Sequence, residues 1–182
     1  MAHQKYINIA KFSPNDKLIA SASQDKSIKI WDATNLQLVM QLNGHKKNVW
    51  DIQFSPFDKQ LVSVSGDKLI KVWNLNKDQS GNQCVATLQG HQDQLVKVQW
   101  LNMGLQLASA SIDGVVKIWN VKKQQCVSTI EMHQDKIWTI DLYEKIEKVS
   151  NDEDDMEEED EVAYKSTIHL LTGGCDSTIK LW

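Results

Sequence analysis

Short runs in which apolar and polar residues alternate recur along the whole chain, as in VWDIQF (49–54), QLVSVS (60–65), LIKVW (69–73) and CVATL (84–88). Alternation with period two, carried by β-branched and aromatic residues, predicts half-buried strands. FSP, GDK and GNQ stand between these runs and supply turns. A run such as ASASIDGVVKIW (108–119) holds too much Ser, Val and Gly to read as helix.

The pattern repeats. Four segments share one ending: DKSIKIW (25–31), DKLIKVW (67–73), DGVVKIW (113–119) and DSTIKLW (176–182). Upstream of them stand His3, His45, His91 and His133, with Asp following His by 22 residues in the first three units and by 43 in the fourth. The units run over about 3–42, 45–88, 91–130 and 133–182. Four short strands in each period of about 42 residues predict an all-β protein of antiparallel four-stranded propeller blades. The expected object is a propeller fragment of about four blades, the last ending after its third strand. The first unit is expected to lack its outer strand. Open blade edges are avoided in natural proteins, so the chain is expected to be part of a longer one and, by itself, poorly soluble or oligomeric.

Composition changes this picture little. The chain has 182 residues, is 41% hydrophobic and contains seven Trp, enough for a packed core. No apolar run approaches the roughly 18 to 20 residues of a helical membrane span. The opening MAHQKYINIAKF lacks the apolar stretch of a secretory signal, so an intracellular protein is expected. Cys84, Cys126 and Cys175 are odd in number and have no CxxC spacing, which fits reduced thiols rather than a disulfide framework or zinc ribbon.

Charge is more informative. Asn151 to Glu161 reads NDEDDMEEEDE, nine carboxylates in eleven residues. The net charge is −4, but taking those nine from the 24 acids leaves 15 against 20 bases, a net +5 for the remainder. The 21 extra residues of the fourth unit contain this run, so it is an insertion between the first and second strands of one blade and not a linker between domains. An acidic disordered loop is expected over 143–166. An EF-hand reading lacks the ordered ligand spacing and glycine, and Ser150, followed by Asn-Asp-Glu, suits an acid-directed kinase. Every base is Lys and none is Arg, which argues against a dedicated nucleic-acid surface.

Together these residues resemble the WD-repeat family. Gly44-His45 and Gly90-His91 match its Gly-His dipeptide, and Trp31-Asp32 its Trp-Asp dipeptide; Ala2-His3, Met132-His133, Trp73-Asn74 and Trp119-Asn120 depart from it. The resemblance implies a hydrogen-bonded lock in each blade, running from Asp to His to Ser to the Trp indole. The implied sets are His3, Ser23, Asp25, Trp31; His45, Ser65, Asp67, Trp73; and His91, Ser111, Asp113, Trp119. In the fourth, His133, Asp176 and Trp182 remain, with Gly174 where the Ser would be. Ser, His and Asp are also the parts of a hydrolase triad, but four copies fit a structural lock and not one catalytic site. No enzyme, cofactor or metal site is expected.

Asn8, Trp50, Val96 and Trp138 lie five residues after each His, a position that in the family tends to face the mouth of the central channel; they are the candidate partner-binding residues. Packing between blades is the competing reading. Lys29, Lys71, Lys117 and Lys180 recur two before each Trp, as a basic track for RNA or as stems packed on the blade. Trp100 stands where Phe12 and Phe54 stand and reads as core.

The phrases SPNDKLIASASQDKSIKIW, GHKKNVWDIQFSP, QQCVSTIEMHQDKIWTI and LTGGCDSTIKLW resemble one subfamily in particular, that of transducin-beta-like protein three, associated with U-three small nucleolar RNA in the small-subunit processome. This implies a non-catalytic nucleolar scaffold in pre-ribosomal RNA processing, bound to other protein subunits of a large ribonucleoprotein assembly. Contact with pre-ribosomal or small nucleolar RNA would be indirect, and no membrane or small-molecule substrate is implied. The alternative is a peptide-binding adaptor, a ubiquitin-ligase substrate receptor or chromatin-complex subunit, which could be cytoplasmic.

Overall fold

The computed structural model describes residues 2–57, 59–76, 83–101, 104–148 and 164–182, with only the backbone of 144–148 and 164–166 described. Among the described residues it is all-β, with four antiparallel sheets that form the blades of a partial propeller. Blade 1 is β1 (Ile7–Phe12), β2 (Leu18–Ser23), β3 (Ile28–Asp32) and β4 (Leu38–Leu42). Blade 2 is β5 (Val49–Phe54), β6 (Gln60–Ser65), β7 (Leu69–Asn74) and β8 (Cys84–Gln89). Blade 3 is β9 (Leu95–Leu101), β10 (Gln106–Ser111), β11 (Val115–Asn120) and β12 (Gln125–Glu131), and blade 4 is β13 (Ile137–Lys148), β14 (Tyr164–Gly174) and β15 (Ile179–Leu181). Each is a meander in chain order, with connections of three to five residues except for nine between β7 and β8 and fifteen between β13 and β14. The first unit therefore has its outer strand, β4, contrary to expectation; LVMQL is apolar and pairs along β3 from Ile28↔Leu42 to Trp31↔Leu38.

The core lies between blades. Ala20, Ala22, Ile28 and Ile30 of blade 1 meet Val49, Ile52, Leu61 and Trp73 of blade 2. Val62, Val64, Ile70 and Val72 on the other face of blade 2 meet Val98, Trp100, Leu107 and Trp119 of blade 3. Ala108, Ala110 and Val116 then meet Ile137, Ile140 and Leu170 of blade 4. Interior strands are thus apolar on both faces. This is why QLVSVS and QLASAS alternate aliphatic residues with small uncharged serines instead of apolar with charged ones.

The fourth unit departs from the expected strand lengths. β13 and β14 stay paired from Ile140↔Thr172 out to Lys148↔Tyr164, well past Leu142, so both ends of the span 143–166 are strand. Residues 149–163, where the acidic loop is expected, lie outside the described residues.

Candidate partner-binding face and the blade lock

The lock is present, but its hydroxyl is not the expected one. In blade 2, His45 Nδ1 is 2.9 Å from Asp67 Oδ2, His45 Nε2 is 2.8 Å from Ser63 Oγ, and Trp73 Nε1 donates to the same Oγ at 2.8 Å. Blade 1 repeats this with Ser21, 2.8 Å from both His3 Nε2 and Trp31 Nε1. Blade 3 uses Ser109, 2.7 Å from His91 Nε2 and 2.8 Å from Trp119 Nε1. Ser23, Ser65 and Ser111 were the expected partners; they sit two residues further along the same strand face. Register explains the difference. Trp31 pairs with Ile19 and Trp73 with Leu61, so the indole reaches the next residue on that face, Ser21 or Ser63; a residue two further on lies roughly 7 Å away. Ser23 and Ser65 instead accept from the amides of Asp25 and Asp67 in the turn. Ser111 donates to the Gln94 carbonyl.

The fourth unit keeps its hydroxyl link too. Thr172, not the position of Gly174, supplies it, with Oγ1 2.9 Å from His133 Nε2. What this unit lacks is the indole: Trp182 is 48% exposed and, among the described residues, makes no bond to Thr172. Met132, where two other units have Gly, is buried between blades 3 and 4. Gly44 and Gly90 leave that room for the indole instead, since a Cβ on either would lie 3.2 or 3.1 Å from Cη2 of Trp73 or Trp119.

Blade 3 breaks the lock at its other end. His91 Nδ1 is buried and has no partner among the described residues, and Asp113 accepts from the Val115 amide instead. Burial, aided by the nearby Lys117 charge, lowers the His91 pKa to about 3, so this ring is neutral. For Asp67, burial raises the pKa, but the hydrogen bond and charge of His45 and the amides of Lys46 and Leu69 outweigh it and hold the carboxyl at about 2. Asp176 is held at about 2 chiefly by hydrogen bonds from Thr178 and His133. Asp25 is lowered as well, burial being outweighed by Ser27 and the Gln4 amide. The Asp–His–Ser order of blade 2 is that of a hydrolase triad, yet Ser63 is fully buried and already accepts the Trp73 N–H. No substrate can reach it.

The candidate face is built by bulges. The register of each inner strand slips by one residue between Ile7 and Ile9, between Val49 and Asp51, between Ile137 and Thr139, and at Leu95/Lys97 opposite Ser111/Ala110. The extra residues are Asn8, Trp50, Trp138 and Val96. A bulge turns a side chain out of the ladder, and such sites are over-represented beside functional surfaces. The four side chains nonetheless end differently. Trp138 is 53% exposed, with its N–H on the Cys175 sulfur. Trp50 is half-buried, its indole nitrogen lying against Gly66 and without a partner among the described residues. Val96 is buried, and Asn8 Nδ2 donates to the Val49 carbonyl of the next blade at 2.7 Å. Asn8 therefore ties blade 1 to blade 2, and Val96 is withdrawn from solvent.

Comparison with known proteins settles the family. The model of the WD domain, G-beta repeat, matches residues 1–32, 36–74, 82–120 and 124–182. The chain belongs to the WD-repeat family. Among individual relatives, it is similar to U3 small nucleolar RNA-associated protein 13 of Saccharomyces cerevisiae, 48% identical over 50 residues, 28% of this chain and 6% of that protein. It is also similar to human Transducin beta-like protein 3, 42% identical over 48 residues, 26% of this chain and 6% of that protein. The General transcriptional corepressor TUP1 of yeast is 40% identical over 45 residues, 25% of this chain and 6% of that protein. Each match thus spans a small part of the relative's length.

In this WD-repeat chain the recurring lysines are held locally. Lys71 and Lys117 donate to Thr87 and Thr129 on the adjacent outer strands, Lys29 and Lys180 to the carbonyls of Ala2 and Met132. Lys29 also lies 5.9 Å from the Trp31 ring centre. Sequence reasoning missed Asp51, an almost fully buried carboxylate on the inner strand of blade 2. Its burial raises the pKa, opposed by Lys11 of blade 1 and Lys97 of blade 3, each 3.7 Å away, and by the Val98 and Ile52 amides. An acid between two apolar residues in WDIQF was the only available signal.

Proposed function

We propose that this chain belongs to a non-catalytic protein-interaction scaffold, a component of the small-subunit processome acting in pre-ribosomal RNA processing in the nucleolus. The observation that carries the scaffold reading is the bulge that presents Trp138 to solvent, beside a set of lock hydroxyls that are buried. An exposed aromatic on a rigid strand is a typical binding anchor. The likeness to a protein named for its association with U3 small nucleolar RNA, and to Transducin beta-like protein 3, supports the particular assembly. Protein neighbours on the propeller faces would supply most of the binding energy, and RNA contact would be indirect, because the recurring lysines are engaged within the blades. A second reading, a peptide-binding adaptor in a chromatin complex or ubiquitin ligase, is favoured by the likeness to a transcriptional corepressor. Affinity purification of the tagged full-length protein separates them. Nucleolar processome subunits are expected in the eluate; recovery of ubiquitin-ligase or chromatin subunits without them would overturn the proposal.

A further inference from the structure

We infer that the end of blades 1 and 2 that carries the His loops and Asp turns is a docking surface for an acidic segment of a partner protein. The residues after the lock His change sign along the chain: Gln4-Lys5 and Lys46-Lys47 in blades 1 and 2, Gln92-Asp93 and Gln134-Asp135 in blades 3 and 4. The residue after the lock Asp follows them, Lys26 and Lys68 against Gly114 and Ser177. Each of the two basic loops lies on the turn of its own blade. The Gln24 amide donates to the Tyr6 carbonyl and the Ser23 hydroxyl to that of Lys5, while the Gly66 amide donates to the Asn48 carbonyl and the Ser65 hydroxyl to that of Lys47. Asn8 of blade 1 accepts from Gln24 and donates to the Val49 carbonyl, which joins the two blades at this end. Backbone and turn geometry thus gather Lys5, Lys26, Lys46, Lys47 and Lys68 on one end of two neighbouring blades, and all five are exposed.

These cations are not neutralised at home. Asp25 and Asp67 are the acids of the same loops and turns, but their side chains are 9% and 6% exposed and are spent on His3 and His45 and on the amides of Gln4 and Lys46. Among the described residues none of the five lysines makes an ion pair, and only Lys68 has its ammonium engaged, on the Gln92 carbonyl of blade 3. Like charges crowded on one surface raise the local potential and favour an anionic partner. The other half of this end selects what kind of anion that is. Asp113 and Asp135 are exposed there and Asp93 is half-buried, with Lys136 as the one base among the His loops and Asp turns of blades 3 and 4. A continuous polyanion such as RNA is repelled where it passes from blade 2 to blade 3, whereas a peptide can confine its carboxylates to a short stretch. The chain's own acidic run joins β13 to β14 at the strand ends remote from His133 and Asp176, away from this surface, so a partner chain is the source. The inference rests on the protein-interaction reading proposed above and names the partner's chemistry; an assay on the purified chain can fail while the affinity purification succeeds, and the reverse.

The test is fluorescence anisotropy of the full chain with labelled hexa-glutamate, beside a labelled hexa-uridine RNA and a neutral glycine-serine peptide of equal length. Saturable binding of hexa-glutamate is expected, weakening as NaCl is raised from about 50 to about 300 mM, with RNA binding about fivefold more weakly or less and the neutral peptide not at all. Lys46 and Lys47 bond to their blade through backbone atoms, so Lys46→Glu with Lys47→Glu leaves the lock intact and is expected to weaken hexa-glutamate binding about tenfold. Lys5→Glu with Lys26→Glu repeats the test in blade 1. Lys122→Glu with Lys123→Glu makes the same change of charge on the opposite end of blade 3 and is expected to alter binding less than about twofold. Asp93→Asn with Asp135→Asn is expected to narrow the gap between RNA and peptide. No binding of hexa-glutamate, RNA binding as tight as the peptide, equal losses at the two ends, or a gap unmoved by the aspartate changes would each overturn the assignment.

Discussion

Ser63 serves two groups at once, accepting the Trp73 N–H and meeting His45 Nε2, while Ser65 two residues on caps a turn. Ser63→Ala strands both of those buried groups and is expected to cost about 2 to 4 kcal/mol; Ser65→Ala should cost about 1. Urea denaturation of the two variants checks this, and equal losses would contradict the register argument. The sequence could not separate the two, since QLVSVS places both serines on one strand face and only cross-strand register decides between them. Protonation belongs to this scale as well. His91 titrates near 6.5 when unfolded and near 3 when folded, so its contribution is complete above pH 6.5 and is lost as pH falls toward 3. The slope is at most about 1.4 kcal/mol per pH unit. Asp67, depressed to about 2 from 3.8, adds stability that is lost only as pH falls from about 4 through 2. Melting curves between pH 7 and 4 should therefore fall in the wild type and fall less steeply in His91→Asn.

Strand existence was legible from alternation, and blade count from the His–Asp–Trp spacing, because each strand is short and each turn carries its own signal. Strand ends were less so. β13 and β14 run on to Lys148 and from Tyr164 although YEKIEK carries no period-two alternation to announce a strand, so the span expected as loop from 143 begins inside the pair. The bulges leave a trace, since one extra residue breaks the period of two, as in the three-residue step from Val49 to Ile52 and from Ile137 to Ile140; the sequence reading used only the shared five-residue offset from His, which pointed to Asn8, Trp50, Val96 and Trp138 as a set. Gly-His, in contrast, had a mechanical reading that the structure supplies. Where the closing Trp is fully buried, glycine precedes the His. Gly90→Ala puts a methyl 3.1 Å from an indole that cannot retreat, and is expected to cost about 1 to 3 kcal/mol by thermal melting, with a shifted Trp emission. Ala2→Gly, beside the less buried Trp31, should change little.

At the scale of the molecule, the locks are made within blades and the apolar contacts between them, with Asp51 as the charged tie across blades 1, 2 and 3. That tie was not readable from the sequence, because it depends on which inner-strand residues become neighbours when blades are set side by side. The one irregular number in the repeat has a kinetic meaning. His and Asp are bonded across 22 residues in blades 1 and 2 and across 43 in blade 4, so closing the last lock from an open chain carries about 0.6 kcal/mol more entropy loss. The long β13–β14 ribbon offsets this by drawing the two halves together first. Blade 4 is then expected to fold at the pace of a hairpin zipping along its length, whereas blades 1 and 3 wait only on turns of three to five residues.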